Sequence, residues 1–227
     1  MEILHQAISP WVTEDMDCWT TLTAGRHPEL FKKESIVYYQ GSMPEHVFIV
    51  SSGRVRVTSY HSSGKERQLY IAEQGCLIGE KSAIFHNAHT TTALAIVDSY
   101  LYRIPLNVFM DALKNDHELC LATIRMICKR HDILYDALMS SLFSHAFQRI
   151  SSILINLVAQ YGVPIPGGVR IDIRFTHQDV ASITGLSRVT VSNTFSLFTN
   201  EGIMGRRDGK FEIYDMDRLK AYTVRDD

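Results

Sequence analysis

Arg188, Val189, Ser192 and Asn193 have the types and the spacing to read the edges of base pairs. Residues at these steps share one face of a helix. An arginine can bond two acceptors of guanine, an asparagine pairs with adenine, and a serine bonds several edges. An apolar side chain can meet the thymine methyl. Nearby, Thr176, His177, Gln178, Ser187 and Thr190 are of kinds that bond phosphate oxygens, which fix register without reading sequence. Arg206, Arg207 and Lys210 add three cations a short way downstream. Singly, Arg206 or Lys210 reads as an ordinary solvated side chain. The constellation as a whole carries more.

To act together these residues need two short helices and a tight turn between them. Thr176 can cap a first helix that buries Val180, Ala181 and Ile183, and Ser187 can cap a second that buries Val191, Phe195 and Phe198. Gly185 supplies the left-handed conformation of the turn, and Ala181 is small where the helices must cross. This order of caps, small residue and glycine predicts a helix-turn-helix whose second helix enters a major groove. Asp208-Gly209 favours a type I′ turn, so Arg206 to Lys210 reads as a hairpin tip.

The preceding chain is of another kind. Ser35–Tyr39, His46–Val50, Arg54–Thr58, Arg67–Ile71 and Thr90–Tyr102 are short β-favouring runs, punctuated by Gly41, Gly53, Gly64, Gly75 and Gly79. They predict a barrel or sandwich. Pro105–Leu113 reads as a short helix and Asp116–Ser141 as a long one. Cys120, Ile124, Ile127, His131, Leu134 and Leu138 follow one another there at steps of three and four, the pattern of a coiled-coil seam. Leu119, Met126 and Ile133 widen the stripe enough to serve the barrel and a second copy together. Phe143–Ala146 reads as a hinge with Ser144 as the next cap, Ala146–Tyr161 as an amphipathic helix ended by Gly162–Gly168, and Val169–Arg174 as strand-like.

Composition limits the function classes. The 227 residues are 45% hydrophobic and 21% charged, as in a soluble globular chain, and contain no apolar run long enough for a membrane span. Met1–Thr13 lacks the basic-then-apolar pattern of a secretory signal, so the cytoplasm is the expected location. The net charge of −2 argues against nucleic acid only as an average. Lys and Arg number 13 against 16 Asp and Glu over residues 1–143, and 10 against 9 over 144–227. Cys18, Cys76, Cys120 and Cys128 have no CxxC pair and read as reduced, mostly packed thiols. No metal site is expected, because a cupin-like triad would need a His-x-His pair and His46 is followed by Val47 and Phe48. His86 and His89 lie close together without a placed carboxylate.

An α+β chain built as barrel, long helix and winged helix-turn-helix resembles the CRP/FNR transcription regulators. The residues that carry the likeness are Gly41, Phe48–Gly53, Gly64, Gly75, Cys76–Glu80 and Gly185–Ser192, and it covers the chain from about Phe31 onward. It implies a cytoplasmic homodimer without catalytic residues. Its partners would be palindromic double-stranded promoter DNA, RNA polymerase and a small-molecule effector bound between barrel and long helix. Residues 1–114 would sense the effector, 115–143 would form the dimer helix and hinge, and 144–227 would bind DNA. The arginine that pairs the phosphate in cyclic-nucleotide members aligns here with Thr91, and only Cys18 stands where Fe–S members place several ligands. Val189 and Asn193 replace the glutamate and arginine common in the recognition helix, which points to an A·T-richer half-site. The likeness runs further, to regulators of dehalogenation, and by it Tyr70, Gly79, Glu80, Ile127 and Arg130 would line a pocket for a small aromatic effector. Arg130 would pair an anionic group there or stand as a solvated helix arginine, and Tyr70 can equally be barrel core. The readings of His131 are a haem ligand, a proton-sensitive seam residue or a polar residue fixing helix register. A haem or redox sensor of the same fold, and a β-sandwich metalloenzyme, are the alternatives.

Overall fold

The β-branched and aromatic runs become nine strands of the first unit among the residues described, 9–224, in the computed structural model. Of the N-terminal stretch Met1–Thr13, residues 1–8 lie outside that range. The described chain divides into two units, residues 10–134 and residues 135–224 with Ser9.

In the first unit the strands are β1 (Trp11–Val12), β2 (Glu29–Phe31), β3 (Ile36–Tyr38), β4 (His46–Ser52), β5 (Val55–Tyr60), β6 (Glu66–Ala72), β7 (Leu77–Ile78), β8 (Thr92–Ala95) and β9 (Ser99–Pro105). They form a sheet of order β1-β6-β5-β8-β3 and another of order β2-β9-β4-β7. Alternation places Val55 and Val57 of β5 in the core and leaves Arg56 between them half-buried. On β4 the run Val47–Val50 is buried throughout, because the helices α2 (Glu80–Phe85) and α3 (Leu106–Asn115) pack against that strand as well. The short α1 (Thr20–Thr23) follows Trp19, whose indole N–H donates to the Gly75 carbonyl at 2.7 Å.

The long helix α4 (His117–Phe143) has two distinct faces. Leu119, Ala122, Thr123, Met126, Arg130 and Ile133 are buried on the barrel. Ile124, Ile127, Leu134 and Leu138 are exposed on the described chain, Leu138 to 56%. The stripe therefore does contain a barrel side and an open side, divided as the heptad positions divide.

In the second unit the end of α4 is followed by α5 (Ala146–Tyr161), capped one residue later than expected. The Gln148 side chain accepts from the His145 N–H at 2.5 Å, so His145 and not Ser144 is the cap. Gly162–Gly168 does more than end that helix: β10 (Gly162–Ile165) and β11 (Gly168–Ile171) are a hairpin about Pro166-Gly167. The strand-like stretch stops at Ile171 for that reason, its register being set by the hairpin. Then follow α6 (His177–Thr184), α7 (Arg188–Asn200), β12 (Met204–Arg207), β13 (Lys210–Ile213) and α8 (Met216–Ala221). The sheet order is β10-β11-β13-β12. Ile150, Leu154, Val180, Val191, Phe195, Phe198, Phe211 and Leu219 are the core on which α6 and α7 rest.

Cys76 alone of the four cysteines is buried; Cys18 and Cys120 are intermediate and Cys128 is exposed. The expectation of mostly packed thiols is thus too broad, because Cys128 falls on the open side of α4.

Candidate functional site

The cap of α6 is a reciprocal pair. Thr176 Oγ1 accepts from the Asp179 N–H at 3.1 Å, and the Thr176 N–H donates to Asp179 Oδ2 at 2.8 Å. Gly185, at φ +70°, ends the helix with its N–H on the Ala181 carbonyl, and Ser187 Oγ accepts from the Thr190 N–H at 3.0 Å to begin α7. The hydroxyls of Thr176 and Ser187 are thereby engaged within the unit. Arg188, Val189 and Asn193 stand exposed over the first turns of α7, Val189 to 69%. Gln178 is exposed beside them and Thr190 is half-buried.

Ser192 is half-buried and hydrogen-bonded within the unit. Its Oγ lies 2.9 Å from Nδ1 of His177, whose ring meets Phe195 edge-on at 4.8 Å and stacks near Phe211 at 6.2 Å. Burial, then Arg206, then Arg188 hold that imidazole below its ordinary pKa. Arg206 lies over the Phe211 ring at 5.3 Å, and Arg207 is exposed. A cleft of about 280 Å³ between α7 and the hairpin is lined by His177, Ser192, Phe195, Arg206 and Phe211 among others. Asp208 and Gly209 both have positive φ, +51° and +78°, as a type I′ turn requires. Lys210 stands apart from the free cations, because its Nζ is 2.6 Å from Asp172 Oδ1. That hydrogen bond and its charge keep the Asp172 carboxyl below the usual range.

In the barrel unit Tyr70, Gly79, Glu80 and Arg130 come together and Ile127 does not. Arg130 Nη2 is 2.7 Å and Nη1 3.3 Å from the two Glu80 oxygens, and Nη1 also donates to Tyr70 Oη and the Leu77 carbonyl at 3.0 Å each. The two ionic side chains are 7% and 5% exposed, so Arg130 is no solvated helix arginine. Burial works against its charge, but Tyr70 and Glu80 outweigh that and raise its pKa. Burial also drives the Tyr70 phenol well above its ordinary value. Gly79, at φ +89°, caps α2 and places Glu80 at its first position. Ile127 is 40% exposed on the open side of α4, one residue past the buried Met126.

Two neighbours of this group carried no local signal. Tyr38 stacks on His89 with ring centroids 4.0 Å apart, and its hydroxyl is 3.4 Å from Thr91 Oγ1. A neutral hydroxyl pair thus stands at the position aligned with the phosphate arginine. Cys76 lies beneath, its Sγ 4.0 Å from Met126 Sδ, and burial pushes its thiol up to about 12. Such a thiol is a packed apolar group rather than a reactive one. His131 is on the open side of α4, its side chain 76% exposed and Nδ1 3.7 Å from Asp132 Oδ1. Among the described residues no three His, Cys, Asp or Glu side chains converge as a metal site would require.

Residues 28–116 match the cyclic nucleotide-binding domain family, and residues 148–222 match the Crp-like helix-turn-helix domain family. The chain is 26% identical over 173 residues to the global nitrogen regulator of Synechocystis sp., covering 72% of this chain and 74% of that protein. It is 26% identical over 188 residues to the cyclic AMP receptor protein of Thermus thermophilus, covering 81% and 82%. A solved structure of OCPA-complexed CprK shares the fold, with a TM-score of 0.72 at 18% identity over 93% of this chain and 98% of that one.

Proposed function

Since the chain belongs to the CRP/FNR family of DNA-binding transcription regulators, its two family matches together spanning more than half its length, we propose that it is a homodimer gripping palindromic promoter DNA under the control of a small organic effector. Members of this family are regulators and not enzymes, and homodimers are typical of it. RNA polymerase is the further partner expected at a promoter, and the cytoplasm the place of action. No helix among the described residues is long and apolar enough to cross a membrane. Residues 1–114 are assigned to sensing, 115–143 to dimerisation and 144–227 to DNA.

The observation that carries the DNA reading is the exposed trio Arg188, Val189 and Asn193 on a helix capped at Ser187 and braced by α6. The dimer reading rests on the exposed apolar side of α4, where Ile124, Ile127, Leu134 and Leu138 repeat at coiled-coil steps. The effector reading rests on the group around Arg130. A cyclic phosphate is disfavoured because Thr91 replaces its arginine and Arg130 is already neutralised by Glu80. An aromatic ligand suits Tyr70, Tyr38 and His89 better, and CprK, of the same fold, is complexed with OCPA. A ligand that draws Arg130 away from Glu80 or Tyr70 shifts how α4 packs, and α4 is shared by both units. The effect on DNA is then a population shift.

Footprinting on the promoter region of the protein's own gene, at low salt and with small aromatic acids present or absent, tests the assignment. The wild type protects a two-fold symmetric site, and Arg188→Ala keeps the dimer but loses the protection. Sequence-specific protection retained by Arg188→Ala overturns the assignment of the recognition helix.

A further inference from the structure

His177 sits where α6, α7 and the β12–β13 hairpin meet. It is the first residue of α6, its edge lies against Phe195 of α7, and Phe211 of β13 is roughly parallel to it. One ring nitrogen is spent on Ser192, the half-buried residue of the second helix between Val189 and Asn193. A phosphate contact, the role its position first suggests, does not account for that bond.

A serine held by an imidazole can be held in two senses. In the neutral tautomer that carries its proton on Nε2, Nδ1 is bare, and the Ser192 hydroxyl donates to it and presents only lone pairs outward, which accept from adenine N6 or cytosine N4. When the ring is an imidazolium, Nδ1–H donates to Ser192 Oγ. The hydroxyl hydrogen is then free for guanine O6 or N7, thymine O4 or a phosphate oxygen. We propose that His177 is a positioning residue that sets the hydrogen-bonding sense of Ser192, and that DNA docking brings in the proton that switches it.

The surroundings fix the direction. The ring is partly buried among aromatic side chains, and Arg206 from β12 and Arg188 from α7 bear on it with positive charge. Both effects favour neutral His177 in the free protein. On β13, Lys210 is held by Asp172, and Glu212 by the Tyr214 hydroxyl at 2.9 Å. On α6 itself, Asp179 closes the cap with Thr176. DNA brings phosphates to the face of Arg188 and Arg206 and reverses the local field, so the bound complex takes up a proton. Affinity is therefore greatest at low pH and is lost as pH rises through the pKa of the complex.

This inference rests on the DNA reading, and its test separates the two. Anisotropy of a labelled promoter duplex is followed from about pH 5.5 to 8 at constant ionic strength. Wild-type affinity falls as pH rises, by at most about tenfold per unit for one linked proton. His177→Gln, which keeps a hydrogen-bonding group but cannot titrate, binds with a flat profile. Changing the base pair that faces Ser192 alters the preference with pH in the wild type and not in Ser192→Ala. A wild-type slope kept by His177→Gln, or a flat wild type, overturns the proton linkage while leaving DNA binding in place. Absence of binding at every pH overturns the DNA reading itself. NMR titration of His177 needs no variant: its pKa rises on adding duplex, and an unmoved value overturns the proposal.

Discussion

Arg130 and Arg188 are both arginines at functional positions of helices, and the two units treat them in opposite ways. In the barrel, Arg130 is buried with four acceptor atoms on it, two from Glu80 and one each from Tyr70 and Leu77. In the second unit Arg188 stands in solvent one residue past its cap. A closed network like the first is costly to open and gives an effector something to displace. An exposed arginine is free to meet a partner without undoing internal bonds. One unit stores its polar chemistry and the other presents it.

The largest expected effect breaks the closed network on one side. Glu80→Leu leaves the Arg130 charge buried without its partner and costs about 3–5 kcal/mol of stability by urea unfolding. Replacing both, Glu80→Leu with Arg130→Met, restores most of that loss, because the remaining acceptors are a phenol and a carbonyl on the barrel wall. A double variant no better than the single one would show that the pair is not the closed unit described. A single variant without cost would erase the contrast with Arg188.

A smaller effect sharpens the other side of the comparison. Arg206→Ala weakens binding to all DNA sequences alike and lowers the slope of log K against log salt by about one. Lys210→Ala changes the slope less, since Asp172 already neutralises it. Titrations at several salt concentrations give both slopes. Equal losses for the two variants would mean that the Lys210–Asp172 pair opens on DNA.

The same contrast governs what was legible in the sequence. Thr176, Gly185, Ser187 and Asp208-Gly209 act on residues within four positions of themselves, so local pattern placed α6, α7 and the hairpin turn. The open apolar side of α4 is legible because its period repeats, and so is the need for a barrel side. Glu80 and Arg130 are 50 residues apart, and no local rule joins them. The family likeness named both as pocket residues but left open whether Arg130 met a ligand or only solvent. Helix periodicity places Ser192 on the outward face, but it does not foretell the bond to His177 across 15 residues. The hairpin β10–β11 is hidden in the sequence because Pro and Gly signal a helix stop and a hairpin turn alike.

Gly209 gives the smallest and cleanest test of how far local chemistry suffices. Its φ is +78°, in the region L side chains avoid, and a Cβ built there meets no atom within 4 Å. Any cost of Gly209→Ala is therefore backbone strain and not lost packing. The expected value is about 1 kcal/mol, measured by urea unfolding. The register Arg207 with Lys210 depends on this turn, so DNA affinity falls too, by less than for Arg206→Ala. A loss of stability comparable with that of Glu80→Leu would mean that the hairpin is tied to the unit by contacts beyond its own turn. The contrast between a locally encoded unit and one closed by distant pairs would then have to be withdrawn.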